Sequence, residues 1–335
     1  MNTASPKGEK MIIKFQNCNQ KTRYVEDGVE KYDEKKDRLC SKNTNFYPKF
    51  YESILKDDPD IIVLAEVAKA ENIFNEINKL KPNVYDYKAN SDLLYEYTNL
   101  TMIQNKIMII YNKNKFELIG APDESEYVKE GKIDYLHLQL QRIEDKEEFN
   151  IFGIRVRSRE YSSFKELNKL SKEEQEELIN KNRKENNKVN IIFENLLKKY
   201  ENCKNFILAG DFNHGIISKY EKDNVQYSYN YQTLNQIVNK SGKYELLIKG
   251  VETEGDLMSE ECAYYFNNLD WTWRNGYSMS PIDHFIISNN FESKDFEVIH
   301  DETGVDLVSL DYGNNAYACG VPDHREIRLK LNVEQ

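Results

Sequence analysis

Residues 206–215 read FILAGDFNHG, and this stretch decides the fold. Phe206–Ala209 is an apolar run without polar interruption, the pattern of a strand covered on both faces. Gly210 ends the run and hands the chain to Asp211 and Asn213. Residues two apart on an extended chain point to one side, so the carboxylate and the amide are expected to face one point. The carboxylate suits orienting or deprotonating a water, and the amide suits a hydrogen bond to a phosphate oxygen. A Gly-Asp turn closing an ordinary strand would read the same way, so the stretch gains meaning only from what accompanies it.

Four other strand ends accompany it. Asp60–Val67, DIIVLAEV, is a buried strand with Glu66 near its C-terminal end, a hard oxygen ligand suited to Mg²⁺ or Mn²⁺. Val321–Leu331, VPDHREIRLKL, sets Asp323 and His324 side by side before a strand. Ser280–Ser288, SPIDHFIIS, puts Asp283 at the start of another apolar strand, where a buried carboxylate needs a partner. His324 is the expected one, and His284 fits a neutral position within the sheet. Ile12–Asn19, IIKFQNCN, closes the first strand with Asn17 and Asn19. Each has a plain alternative as an exposed Glu, a turn His or a turn Asn. Together they put Asp, Asn, Glu and His at five strand ends, the side chains of metal-assisted phosphoryl hydrolysis.

Further apolar runs extend the pattern. Strands are expected at Met11–Phe15, Ile61–Leu64, Ile107–Tyr111, Phe149–Val156, Phe206–Ala209, Ile282–Ser288 and Ile327–Leu331. Helices are expected at Tyr47–Lys56 and Ala70–Leu80. Another opens on the Ser171–Glu174 capping box and reaches about Tyr200. Strands alternate with helices in some places and follow strands directly in others, which favours mixed sheets in an α/β layered fold. No repeat, low-complexity linker or Pro/Gly-rich hinge divides the chain, so residues 1–335 read as one domain. The charged run Ser158–Lys188 reads as part of a helical insertion at about 158–200. Residues 20–45 and 216–232 read as long surface loops.

The 335 residues are 39% hydrophobic, enough for a sizeable core, and the net charge of −11 argues against a passive nucleic-acid coat. It does not argue against an enzyme, because a bound divalent cation reverses the local sign of a carboxylate-rich site. Five cysteines without a CxxC suggest neither a disulfide framework nor a zinc site. The first ten residues lack an apolar signal core and no run approaches a membrane span, so a cytoplasmic protein with no membrane partner is expected.

The order and context of these motifs resemble the endonuclease/exonuclease/phosphatase superfamily, which includes DNase I and the exonuclease III-type repair nucleases. The resemblance runs from Ile12 to Leu331. It implies a four-layer sandwich of two packed mixed β-sheets flanked by helices. It implies that Asn17 and Asn19 lie near the metal, that Glu66 binds it, and that Asp211 and Asn213 position nucleophile and phosphate. It implies that Asp283 and the Asp323–His324 pair complete the site. Trp271-Thr272-Trp273 resembles the aromatic segment that often precedes the Asp283 motif, and core packing is the simpler reading of it.

Two departures stand out. Ala65 replaces the Gln usual before the metal glutamate. Phe149–Ser158 reads FNIFGIRVRS, so Arg155 stands where many members carry a His, with Arg157 following on the same face. Two exposed arginines on an edge strand would be the bland reading. The functional one is a permanent cation that clamps phosphate bidentately and cannot accept a proton. The expected function is therefore a Mg²⁺-dependent phosphodiester hydrolase, with Mn²⁺ as substitute ion and DNA as the leading substrate. In that reading Asp211 activates water, Glu66 holds the ion with Asn17, Asn19 or Asp323, and Asn213, His324 and Arg155 bind the phosphate. A phosphatase or phosphodiesterase on a small ester or nucleotide is one alternative. A catalytically weak binding module, using the helical insertion toward a protein partner, is another.

Overall fold

The computed structural model describes residues 9–18, 20, 23–31, 46–91, 94–97, 100–103, 106–124, 133–156, 170–213, 220–222, 225–227, 236–247, 273–275, 278–280, 282–291, 293–299 and 324–333. Twelve strands build two six-stranded sheets. They are β1 (Glu9–Asn17), β2 (Ile61–Val67), β3 (Tyr85–Ala89), β4 (Lys106–Asn112), β5 (Phe116–Leu118) and β6 (Ile133–Arg142). The series continues with β7 (Glu148–Val156), β8 (Phe206–Asp211), β9 (Tyr244–Leu247), β10 (Asp283–Ser288), β11 (Ser293–Val298) and β12 (Ile327–Val333). The first sheet runs β11-β12-β1-β2-β4-β3 and the second β9-β10-β8-β7-β6-β5.

Each sheet holds a parallel pair at its centre, β1 beside β2 and β7 beside β8, with antiparallel neighbours outside. Parallel strands place their C-terminal ends together, and an antiparallel neighbour brings its N-terminal end to the same edge. The ends of β1, β2, β7 and β8 and the starts of β6, β10 and β12 therefore gather the polar strand-end residues.

Alternation along the strands makes the layers. Met11, Ile13 and Phe15 of β1 point into a core shared with Ile207 and Ala209 of β8. Gly153 on β7 lets the sheets approach closely, because a Cβ there would lie 2.4 Å from Ile107 Cγ2 and 2.9 Å from Val63 Cγ1. The outer face of the first sheet is covered by α1 (Phe46–Leu55) and α2 (Ala70–Leu80), with Ile54, Ile73 and Ile77 buried on it. The outer face of the second sheet is covered by α3 (Lys172–Lys199), whose Ile192, Phe193 and Leu196 pack on Phe152 and Phe206. The result is the expected four-layer sandwich of two mixed sheets between helices.

The capping box of α3 is formed: Glu174 N donates to Ser171 Oγ at 3.2 Å and Ser171 N to Glu174 Oε2 at 2.8 Å. From Val189 onward this helix is a layer of the sandwich, while residues 158–169 of the expected insertion lie outside the described residues. No described helix is long and apolar enough to cross a membrane.

Two expected loops hold strands instead. Within 20–45, Arg23–Glu26 pairs with Val29–Lys31. Asp27 and Gly28, at φ 53° and 74°, form the two-residue turn that the right-handed strand twist favours. Within 216–232, Tyr220–Lys222 pairs with Val225–Tyr227.

Candidate active site

Four side chains lie in register across the second sheet. Asp134 on β6 pairs with Arg155 on β7, Arg155 with Asp211 on β8, and Asp211 with Asp283 on β10. Register partners project to the same face, so these form one row of acid, base, acid, acid. Like charges opposite each other are unfavourable, and Asp211 beside Asp283 therefore requires nearby compensation.

Some of it comes from the facing sheet and from the chain before β12. Asn17, at the end of β1, donates Nδ2 to Asp211 Oδ2 at 2.9 Å and to Glu66 Oε1 at 3.3 Å. The amide nitrogen thus bridges the two sheets as a donor, next to the Glu66 carboxylate that the resemblance assigns to the metal. Ahead of β12, His324 Nδ1 lies 2.9 Å from Asp283 Oδ2, the pairing expected for that carboxylate. Gln16 Nε2 donates to the His324 carbonyl at 2.7 Å and anchors this segment to β1. Ligating atoms of Asp211, Asp283 and His324 lie within 4.8 Å of one another.

Arg155 is the cation of the row. Its Nη2 lies 2.6 Å from Glu66 Oε1 and its Nη1 3.3 Å from Asp134 Oδ2. Its side chain is 19% exposed, so an edge-strand arginine in solvent is excluded. Burial works against the guanidinium's charge, but Glu66, Asp134 and Asp211 more than offset it, and its pKa rises above the ordinary value.

Two of these residues sit in the left-handed region, Glu66 at φ 53° and Asn213 at φ 47°. Non-glycine residues occupy it at a cost of about 1–3 kcal/mol, and such positions gather at functional sites. Glu66 lies in a bulge of the β2–β4 pairing between Leu64 and Val67. The bulge re-aims a residue that regular alternation would direct elsewhere. Gln20 Oε1 accepts from Ala68 N at 2.7 Å and holds the chain just past it. Ala65, in place of the usual Gln, packs in the core between the sheets.

Asn213 meets Asp211 differently from the expectation. The pair does not share a strand face by alternation, because Asp211 ends β8 and the chain then turns. Asn213 N donates to Asp211 Oδ1 at 2.8 Å, and its Nδ2 donates to Asp211 Oδ2 at 3.0 Å and to Val156 O at 2.6 Å. The Asn213 amide hydrogens are thereby engaged in holding Asp211 to the end of β7. Burial first, and the Asp283 charge second, push the Asp211 carboxyl up to about 7, against His324 and Arg155.

Of the residues singled out in the sequence, Asn17, Glu66, Arg155, Asp211, Asn213, Asp283 and His324 converge. Asn19, Arg157, Trp271, Thr272 and Asp323 lie outside the described residues, and Trp273 is described only as part of a strand, Trp273–Asn275. His284 is buried beside Phe212, away from the row's chemistry. Asp134 escaped the sequence reading. Its one signal was an Asp inside the alternating run Ile133–Leu140, at a position 2% exposed.

The donor set fits a divalent cation. Among the described residues, the carboxylates of Glu66, Asp134, Asp211 and Asp283 outnumber the cationic groups beside them, Arg155 and the His324 imidazole. A hard cation relieves that excess with oxygen ligands.

No family model and no curated protein matches the sequence. Solved structures do match. An endonuclease/exonuclease/phosphatase family protein from Bacteroides thetaiotaomicron is 15% identical, with a TM-score of 0.55 over 97% of this chain and 98% of that one. A humanized D. rerio TDP2 is 13% identical, with a TM-score of 0.51 over 97% and 99%. A mannosyl-6-phosphatase from B. thetaiotaomicron is 14% identical, with a TM-score of 0.50 over 96% and 99%. The chain therefore has the endonuclease/exonuclease/phosphatase fold that its strand-end motifs resemble.

Proposed function

We propose that the chain is a divalent-metal-dependent phosphodiester hydrolase, with DNA as the favoured substrate and the cytoplasm as its location. The observation that carries this reading is the in-register row Asp134–Arg155–Asp211–Asp283, faced across the sandwich by Asn17 and Glu66. A buried excess of carboxylates beside a fixed guanidinium suits one cation and one phosphate together.

Glu66 is assigned to the ion, with Asn17 beside it. Mg²⁺ is the ion proposed, with Mn²⁺ able to replace it. Such an ion supplies Lewis-acid polarisation of the phosphate when bound. Asp211 accepts the proton of the attacking water, for which a carboxyl pushed up toward neutrality is suited. Asn213 holds both Asp211 oxygens and so fixes the base. Asp283 fixes His324 through Nδ1, which directs the other imidazole nitrogen to a phosphate oxygen. Arg155 binds a second phosphate oxygen.

A cavity of about 680 Å³ that includes Ala68 among its lining residues, but none of the row's side chains, is a candidate surface for the rest of an anionic substrate. Arg23, Lys69, Lys88 and Lys106 line it together with Glu30, Glu71 and Asp86, so cations lead by one. A cytoplasmic site agrees with the free thiol of Cys203.

The test uses purified protein with single- and double-stranded DNA, RNA, a sugar phosphate and a chromogenic phosphodiester, with Mg²⁺, Mn²⁺ or chelator. Chelator-sensitive DNA cleavage is the expected result. Turnover of the small esters alone would replace DNA by a small substrate. Metal binding with no cleavage would leave a binding module, with the helical insertion at about 158–200 as the surface for a protein partner.

A further inference from the structure

Arg155 spans two acids. One amino group holds Glu66, the residue assigned to the metal, and the other holds Asp134, which has no assigned part in the reaction. Its Nε is buried without a hydrogen-bond partner, a donor that an arriving anion would satisfy. A guanidinium cannot lose its proton, so its charge competes for Glu66 under all conditions. A cation and a divalent ion cannot both occupy one carboxylate oxygen at full strength.

We propose that Arg155 is the resident counter-ion of Glu66, displaced from that carboxylate when the metal enters and kept at the site by Asp134. The proposal rests on the reading of Glu66 as the metal carboxylate. Asp134 is then a positioning residue acting through Arg155. Without its hold on Nη1 the whole guanidinium would settle on Glu66. With it, one edge remains anchored while the other yields, and the cation stays beside the row to receive the phosphate. Metal affinity is thereby set low by design of the site and raised as substrate arrives, because the phosphate offers Arg155 a replacement anion.

The experiment is Mn²⁺ binding by titration calorimetry, with thermal melting in chelator and in saturating Mn²⁺. Arg155→Gln is expected to bind Mn²⁺ about tenfold more tightly, a coupling usual for charged neighbours in contact. Asp134→Asn is expected to bind several-fold more weakly. The double variant is expected to bind close to Arg155→Gln, because the effect proposed for Asp134 on the metal runs through the arginine. Arg155→Lys keeps the charge and should stay near the parent. Arg155→Gln should melt lower in chelator and recover more on adding Mn²⁺ than the parent does. A variant that folds only with Mn²⁺ would support the same conclusion.

Unchanged or weakened binding by Arg155→Gln overturns the proposal. So does a double variant that binds as weakly as Asp134→Asn, which would place Asp134 in direct contact with the ion. Failure of every protein, parent included, to bind Mn²⁺ removes the metal reading itself, and the proposal with it.

Discussion

Lys14 and Glu326 meet at 2.9 Å on the α1 side of the first sheet, both side chains 1% exposed. Lys14 Nζ donates to Ser53 O at 2.7 Å, and Ser53 Oγ donates to Glu326 Oε2 at 3.2 Å. One cation faces one anion, and a helix residue closes the set. At the strand ends the arrangement differs: among the described residues, Glu66, Asp134, Asp211 and Asp283 gather around the guanidinium of Arg155, and two backbone positions there are strained. Both clusters are buried charge in the same sandwich. A matched pair needs nothing more and serves the fold. An unmatched set is tolerated only where an external cation or ligand completes it, and so marks a site. Burial of charge is therefore a poor guide to function, while imbalance of buried charge is a better one.

The largest expected effect breaks the comparison on the unmatched side. Asp211→Asn removes the proposed base and one of two opposed carboxylates. Turnover should fall by about a thousandfold or more, the scale of a lost general base, while the melting temperature does not fall. An Asp211→Asn protein with parent turnover would end the assignment. On the matched side, Lys14→Met leaves Glu326 buried and uncompensated. Chemical denaturation should show a loss of about 3–5 kcal/mol, with activity per folded molecule little changed.

Gly153→Ala probes the packing that brings the two halves of the site together. The added methyl meets Ile107 and Val63 of the opposite sheet, and overpacking of this kind costs about 1–3 kcal/mol. A denaturation midpoint equal to the parent's would show that the sheets separate without penalty.

The smallest effect concerns pH. Burial and Asp283 raise the folded-state Asp211 carboxyl to about 7. Between the ordinary carboxylate range and about 7 the folded chain holds a proton that the unfolded chain has released. The Asp211 contribution to metal-free stability should thus be fully present below that window and be lost as pH rises through it. Melting curves in chelator should show this decline in the parent and less of it in Asp211→Asn. Parallel curves would assign the dependence elsewhere.

Long apolar runs made seven strands legible in the sequence, and all but Ile107–Tyr111 carried a polar candidate residue with them. Short polar strands were illegible: Tyr85–Ala89 reads YDYKA and Phe116–Leu118 has three residues, so pairing with a neighbour creates them. The hairpin at Asp27-Gly28 had a readable turn signal that the charged surroundings obscured. Asp134 was illegible for another reason. Its meaning depends on register with Arg155, which no local window contains.

The sequence by itself determined the residue types, their order and their places at strand ends, because these follow from hydrophobic periodicity and from where it stops. Tertiary structure alone decided that Asp134, Arg155, Asp211 and Asp283 form one row, that Arg155 takes Glu66, and that Asn213 holds Asp211. It also decided which buried charges are matched. Asp211 began as one acid at a strand end, and only strand register and sheet packing set Glu66, Asp134, Asp283 and the Arg155 guanidinium around it. Interactions between charges depend on distance through space, and chain separation carries almost none of that information.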